Sequence, residues 1–434
     1  MHITKIIRNA PWVLTLLLPS VAFAQDGVDS GNTAWILTST ALVLFMTLPG
    51  LALFYGGLVR TKNVLSVLMQ CFAIAVVISL LWIVVGYSIA FGPAESDWWG
   101  GLGKAMFNGV VVGSVSGNIP ETVFASFQMT FAIITPALIV GAFVERIKFS
   151  AMLLFSVLWT LVVYFPVAHW VWGGGWLMDM GLIDFAGGTV VHVTAGVSAL
   201  VFALVLGPRK GFLTAAMMPH NLTMSFTGAA MLWVGWFGFN AGSALAANGS
   251  AGMAMFVTHI SAATGAFTWM VIEWIKFGKP SALGGITGMV AGLATITPAS
   301  GAVGPAGALL VGTAGGVICY FATMTMKQKF KVDDSLDVFP VHGVGGIVGT
   351  FLAGILVSAN LGIFSGNGLA EGATIGSQLG VQVIGILATG IFAASVTFVL
   401  IKLVGAITSG IRVPEDQEQA GLDITIHNEK GYSM

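Results

Sequence analysis

Between residues 34 and 408 the chain is a succession of apolar runs, each long enough to cross a bilayer and separated from the next by a short polar stretch. A helix of about 20 apolar residues spans the hydrocarbon core. In lipid, only helices and closed barrels satisfy every backbone N–H and C=O. Eleven runs are read, at about 34–57, 65–91, 121–143, 150–170, 187–206, 221–245, 252–275, 282–298, 304–326, 338–358 and 377–408. The last exceeds a perpendicular crossing and is expected to tilt across the others. Charged residues make up 8% of the chain, against about 25% in soluble domains. Too few are present to cover a water-facing surface, and the expected class is an all-α integral membrane protein. The net charge of −1 gives no case for nucleic acid, and Cys71 and Cys319 fall in apolar spans, where they read as small buried residues.

The first residues have a different pattern. Lys5 and Arg8 precede an apolar run, Trp12 to Leu18, and Ala22-Phe23-Ala24 follows the small-residue cleavage rule. Residues 1–24 are read as a signal peptide, with an uncleaved first helix as the alternative. Residues 25–33 then form a short outer N-terminus, 34–408 the transmembrane domain and 409–434 a polar inner tail. Positive charge fixes the expected orientation, because cytoplasmic loops collect Lys and Arg. Of 17 basic residues, two belong to the leader and one, Lys104, to an outer loop. The remaining fourteen fall on the inner side, from Arg60 to Lys430. The N-terminus is expected outside and the C-terminus inside.

Three short patterns recur in order. Val191-His192-x-x-x-Gly196 returns as Val341-His342-x-x-x-Gly346, 150 residues on. Ile134-Thr-Pro-Ala137 returns as Ile296-Thr-Pro-Ala299, and Phe54-x-x-Gly57-x5-Asn63 as Phe239-x-x-Gly242-x5-Asn248. Spans 1, 3 and 5 thus pair with 6, 8 and 10. Because five is odd, the second set must run opposite to the first. That predicts a 5+5 inverted repeat with its site at the repeat interface near the midplane, plus the long eleventh helix. Chance similarity among Gly-, Ala- and Val-rich helices is the competing explanation. Gly284, Gly288 and Gly292 on span 8, and Gly345 and Gly349 on span 10, read as close-packing ladders.

The expensive residues are His192 and His342, each near the start of an apolar span. Ionisable groups there mark a functional site by default. The repeat axis would bring the two together. In an apolar passage they disfavour carrying two charges, but one ring nitrogen can donate while the other accepts. The alternatives are two separately satisfied histidines, or a metal site, for which no Cys, third His or carboxylate has ligand spacing. Phe127 and Phe131 share a face of span 3, as do Phe239 and Ser243 in span 6. Trp172 precedes Gly173-Gly-Gly175 at the outer end of span 4. Aromatic faces attract cations, although Trp and Phe also form ordinary interfacial belts. Asp184, before Gly187-Gly188-Thr189, can attract a cation or satisfy the N–H groups of a helix start.

Gly235-Trp-Phe-Gly-Phe-Asn-Ala-Gly-Ser243, Asp184-Phe-Ala-Gly-Gly-Thr-Val-Val-His192, Val332-Asp-Asp-Ser-Leu-Asp-Val-Phe-Pro-Val-His342-Gly-Val, Gly141-Ala-Phe-Val-Glu-Arg146 and Arg412-Val-Pro-Glu-Asp-Gln resemble signatures of the ammonium transporter (Amt/Mep/Rh) family. The bacterial Amt branch fits best, over essentially all of residues 30–425. The resemblance implies an eleven-helix protomer in a homotrimer in the bacterial inner membrane, with a narrow pore through each protomer for ammonium, ammonia or methylammonium. It implies no cofactor, no metal and no enzymatic role. An intramembrane enzyme would need a paired nucleophile or ligand set that is absent here, and a membrane ammonium sensor with the same body is the alternative. By resemblance, Phe131, Trp172 and Ser243 form the outer recruitment site, supported by Phe127 and Trp236. Phe131 and Phe239 form the gate, His192 and His342 line the pore, and Asp184 is a structural support. A PII-type regulatory protein is implied on the cytoplasmic side, near Asp333, Asp334, Asp337 and the tail with Arg412. The sequence departs from the expected pattern at Pro340, where a small residue such as Gly is expected.

Overall fold

The computed structural model describes residues 27–93 and 96–432, and the signal peptide read over 1–24 lies outside the described residues. Among the described residues, eleven helices are long and apolar enough to cross a membrane: α1 Ser30–Leu58, α2 Thr61–Phe91, α3 Glu121–Phe143, α4 Phe149–Asp179, α5 Gly188–Leu206, α6 Leu222–Gly242, α7 Gly249–Phe277, α8 Ala282–Ala299, α9 Pro305–Lys329, α10 Phe339–Leu356 and α11 Ile375–Ile407. Their ends fall close to those expected, with the exception of α4. There the chain breaks at Gly173–Gly175 and adds a last turn, Trp176–Asp179. Gly174 sits at φ +88°, the left-handed region open to glycine. The connection between α2 and α3 carries a small hairpin, β1 Val115–Ser116 paired with β2 Ile119–Pro120.

The duplicated patterns occupy inverted positions. Phe54 on α1 lines a cavity on the face that gathers the basic loops. Its counterpart Phe239 on α6 packs toward the opposite, aromatic face, under Trp172 and Ser243. The contact between α5 and α10 is reciprocal. A Cβ built on Gly196 would collide with the backbone of Gly343, and one on Gly346 would meet Val193 N at 3.2 Å and His192 Cβ at 2.9 Å. Residue 196 thus touches 343 while 346 touches 193, the relation a two-fold axis requires. Both helices open with a wide π-helical turn, Gly188–Val193 and Phe339–Gly343, and each turn carries its histidine. Such turns are rare and concentrate at functional sites. Pro340 is accommodated because it stands in the first positions of its turn, where its N–H would have no partner within the helix.

The α8 ladder packs backbone to backbone on α7. Gly288 meets Gly265 O, and Ser261 Oγ donates to Gly292 O at 2.8 Å. Gly349 on α10 likewise abuts Thr295. Helix α11 has 33 residues, about 50 Å at 1.5 Å per residue. It packs on α4 and α5 of the first repeat and α10 of the second. Gln382 clamps the two, donating to Ile183 O at 2.8 Å and Thr350 O at 2.9 Å and accepting from Ile183 N.

Gly196→Val is expected to lower the melting temperature in detergent by several degrees, because overpacking costs about 1–3 kcal/mol and Gly343 offers only backbone, with no side chain that could rotate away. Gly380→Ala, on an open stretch of α11 with nothing within 4 Å, is expected to leave it unchanged.

The polar tail is not a loose end. It folds into α12 Glu415–Ala420 and α13 Leu422–His427 and is tied to the loops of the basic face. Val413 N donates to Arg146 O, Leu422 N to Asn63 Oδ1, and Asp423 accepts from Leu65 N and Ser66 N at the start of α2. Composition alone hid this, because the anchoring groups are spread over loops far apart in sequence.

Candidate functional site

A line of side chains runs through the repeat interface between two cavities. The first, of about 180 Å³, lies on the aromatic face and is lined by Gln128, Phe131, Trp172 and Ser243. The ring of Trp172 stands edge-on to Phe131, with centroids 5.8 Å apart. Its indole N–H is held by Asp184 O at 2.9 Å, which fixes the ring's orientation. Ser243 Oγ donates to Phe239 O at 2.8 Å, so its lone pairs remain free to accept an N–H.

Beneath this cavity Phe131 and Phe239 stack with centroids 4.3 Å apart and planes 29° from parallel. Phe127 is fully buried behind them, 5.0 Å from Phe131, and does not reach the cavity wall. Trp236 lies one layer deeper, beside His192. Its ring stacks on His192 at 5.6 Å, and its N–H is spent on Thr297 Oγ1 at 2.9 Å.

His192 follows, with its ring nearly parallel to Phe239 at 6.2 Å. His192 Nδ1 and His342 Nδ1 are 3.2 Å apart, a hydrogen bond that requires one protonated and one bare nitrogen. The two histidines are therefore one unit and not separately satisfied residues. The buried His192 Nε2 has no partner among the described residues, which suits a group aimed at a transient ligand. His342 then opens on a second cavity of about 400 Å³, also lined by Phe54, Arg209, Lys327 and Asp337.

Asp184 is buried and saturated. Its carboxylate accepts from the backbone N–H groups of Gly187, Gly188, Thr189 and Val190 at 2.8, 2.5, 2.7 and 3.2 Å, and from the Thr189 hydroxyl. Gly187, at φ +114°, lets the chain turn over it. Asp184 thus holds the first turn of α5 and, through its own carbonyl, Trp172.

On the basic face the acidic residues are engaged within the chain. Asp333 Oδ1 pairs with Arg209 Nη2 at 2.9 Å, and Glu145 Oε2 pairs with Arg60 at 2.8 Å and Arg209 at 3.2 Å. Burial opposes both carboxylates, but the guanidinium groups beside them hold both below the usual carboxylate range. Arg412 pairs with Glu418 at 2.8 Å and donates to Leu206 O and Pro208 O. Asp333 and Asp334 are each only 2% exposed. Asp333 and Arg412 thus tie the loops and the tail together, Arg412 remaining partly exposed, and Asp337 forms part of the cavity wall. Two contributors were not read from the sequence. Gln128 lacks any sequence signal except its position three residues from Phe131, and Arg209 is in sequence one of the fourteen basic residues of a single side.

The family model described as the Ammonium Transporter Family matches residues 34–432. The chain belongs to the ammonium transporter family. It is 46% identical to the ammonium transporter of Bacillus subtilis (strain 168) over 407 residues, 93% of this chain and 99% of that protein. Identity to the ammonium transporter of Aquifex aeolicus (strain VF5) is also 46%, over 97% and 98% of the two chains. Among solved structures, Saccharomyces cerevisiae Mep2 superposes with a TM-score of 0.81 at 36% identity, over 90% of this chain and 92% of that one. A protein titled Sensor Amt Protein gives 0.85 at 27% identity, over 91% and 98%. As an ammonium transporter family member the chain has a membrane transport role rather than a catalytic one, in keeping with its multi-pass fold.

Proposed function

We propose that this chain recruits ammonium at the aromatic face, removes its proton there, and conducts ammonia past the Phe131–Phe239 stack and along His192 and His342 to the basic face. The proton crosses separately, through the histidine pair, and ammonium re-forms on the far side. Moving an ion into a low-dielectric interior costs on the order of 20 kcal/mol in the idealised limit. An apolar passage therefore rejects potassium, which has the size and charge of ammonium but cannot shed its charge. Ammonium loses its charge with one proton. At the mouth, the Phe131 and Trp172 rings attract the cation by about 2 kcal/mol or more when desolvated, and Ser243 Oγ accepts an N–H.

The observation that carries this reading is the 3.2 Å contact between His192 Nδ1 and His342 Nδ1, directly under a pair of stacked rings and between two cavities. It gives a neutral amine a polar path where an ion has none. In the same reading Phe127 and Trp236 support the rings from behind. Residues 1–24 are removed, the N-terminus faces outward, and three copies sit in a bacterial inner membrane for nitrogen uptake. A PII-type partner contacts the basic face at its exposed residues.

Methylammonium uptake into proteoliposomes, with and without a protonophore, tests the proposal. Uptake that follows the proton gradient supports it. Specific methylammonium binding without flux would support the second reading, a membrane ammonium sensor, which is favoured only by the likeness to the Sensor Amt Protein.

A further inference from the structure

The two repeats differ at one point where the axis would make them alike. Asp184 and Asp334 are equivalent by the 150-residue offset, and each caps the π-helical turn that carries a histidine. Asp184 collects four backbone N–H groups and a hydroxyl. Asp334 Oδ2 accepts from Phe339 N at 2.7 Å, the equivalent of Thr189 N, while the buried Oδ1 has no partner among the described residues.

Three residues contribute to the difference, the first being Phe339, which lacks the hydroxyl of Thr189. Val190, a donor to Asp184, is matched by Pro340, which has no N–H. Gly187, another donor, is matched by Asp337, whose backbone adopts the same left-handed region at φ +61°. The second repeat thus replaces a donor with a second carboxylate. Asp337 N donates to Asp334 O, and Asp337 Oδ2 meets Lys327 Nζ at 2.6 Å. Asp337 and Lys327 both line the cavity that His342 opens on.

We propose that Asp334 and Asp337 form the inner proton site of the passage, holding one proton between two carboxylates and delivering it to ammonia as it leaves His342. The proposal rests on the reading above. In the step, a carboxyl O–H bond breaks, an N–H bond forms on ammonia, and ammonium leaves through the basic cavity. The pair is left anionic beside Lys327 and regains its proton from the one that crosses through the histidines.

The surroundings suit one shared proton. Asp334 faces Asp337 on its own segment, Tyr55 on α1 and Lys327 on α9, and Asp337 also feels Arg209 and Asp333 from the neighbouring loops. Glu273 of α7 stands across the cavity. Burial, then the Asp337 charge, pushes Asp334 up to about 7. The Asp337 charge acts on Asp334, and interacting carboxylates titrate as a pair, the second proton leaving much later than the first.

Two measurements test the pair. In proteoliposomes at fixed outer pH, ammonium-driven current is expected to fall several-fold as inner pH rises from about 6 to about 8, the range over which one shared proton is lost. Asp337→Asn is expected to abolish this inner-pH dependence while keeping potassium exclusion and the outer-pH dependence. An unchanged inner-pH profile in that variant overturns the proposal. The second measurement needs no transport: infrared titration of the purified full chain is expected to show a protonated carboxyl stretch that disappears near neutral pH. That band is expected to be missing in Asp337→Asn and Asp334→Asn, and its persistence in both overturns the assignment. Loss of ammonium current in the unsubstituted chain with the carboxyl band intact would instead count against the transport reading.

Discussion

Proteoliposomes carrying His192→Leu and His342→Leu together are expected to show no selective ammonium-driven current. The two rings are the polar footing between the phenylalanine stack and the inner cavity, and Leu fills similar space without an acceptor. Leaving a buried N–H donor without a partner costs about 1–3 kcal/mol. Ammonia would lose such a partner at two successive positions. Two losses raise the barrier by about 2–6 kcal/mol, a slowing of roughly 30-fold to more than 10⁴-fold. The relay of a proton between Nδ1 atoms would vanish outright, so the electrogenic component falls further than flux of the neutral amine. Ammonium current and potassium exclusion that both survive the double replacement would refute the mechanism. Because the pair acts as one unit, the two single replacements are expected not to add up to the double.

Asp184→Ala is expected to fail at the level of folding, before any question of transport. The carboxylate satisfies five donors in a dry site. Alanine leaves them with nothing, at about 1–3 kcal/mol each. Even the lower end of that sum is comparable with a typical total stability of about 5–15 kcal/mol. Thermal melting in detergent is expected to drop by more than for any single pore replacement, and Trp172 loses its fixed orientation as α5 unwinds from its start. If Asp184 instead acted mainly on the substrate, Asp184→Ala would melt like the parent chain and lack only current. That outcome would move the residue from the scaffold to the recruitment site.

Much of this architecture was legible because lipid leaves a chain few options. Eleven apolar runs had one economical reading, and the helix ends agree with it; of the readings open for two histidines 150 residues apart, the His192–His342 contact selects the pair. The places that were not legible share a physical cause. Trp236 and Phe127 belong to a chain rich in aromatic residues, and nothing in their spacing says how deep a ring sits. The docking of the tail depends on Asn63, Arg146 and Lys210, three loops whose proximity only tertiary structure creates. The partners of Asp333 and Arg412 were hidden, because an ion pair made to Arg209 or Glu418 within the chain looks the same in sequence as a charge in water. Pro340 stood out only as an oddity. Its meaning comes from Val190 on the other side of the axis.

The central claim is that charge is stripped from the substrate at the aromatic face. Current on solid-supported membranes, recorded on pulses of ammonium and then of potassium at equal concentration, reads it most directly. The account predicts a transient for ammonium that a proton-conducting uncoupler diminishes, and none for potassium. Equal transients for the two ions would mean that an intact cation passes the Phe131–Phe239 stack, and would contradict it.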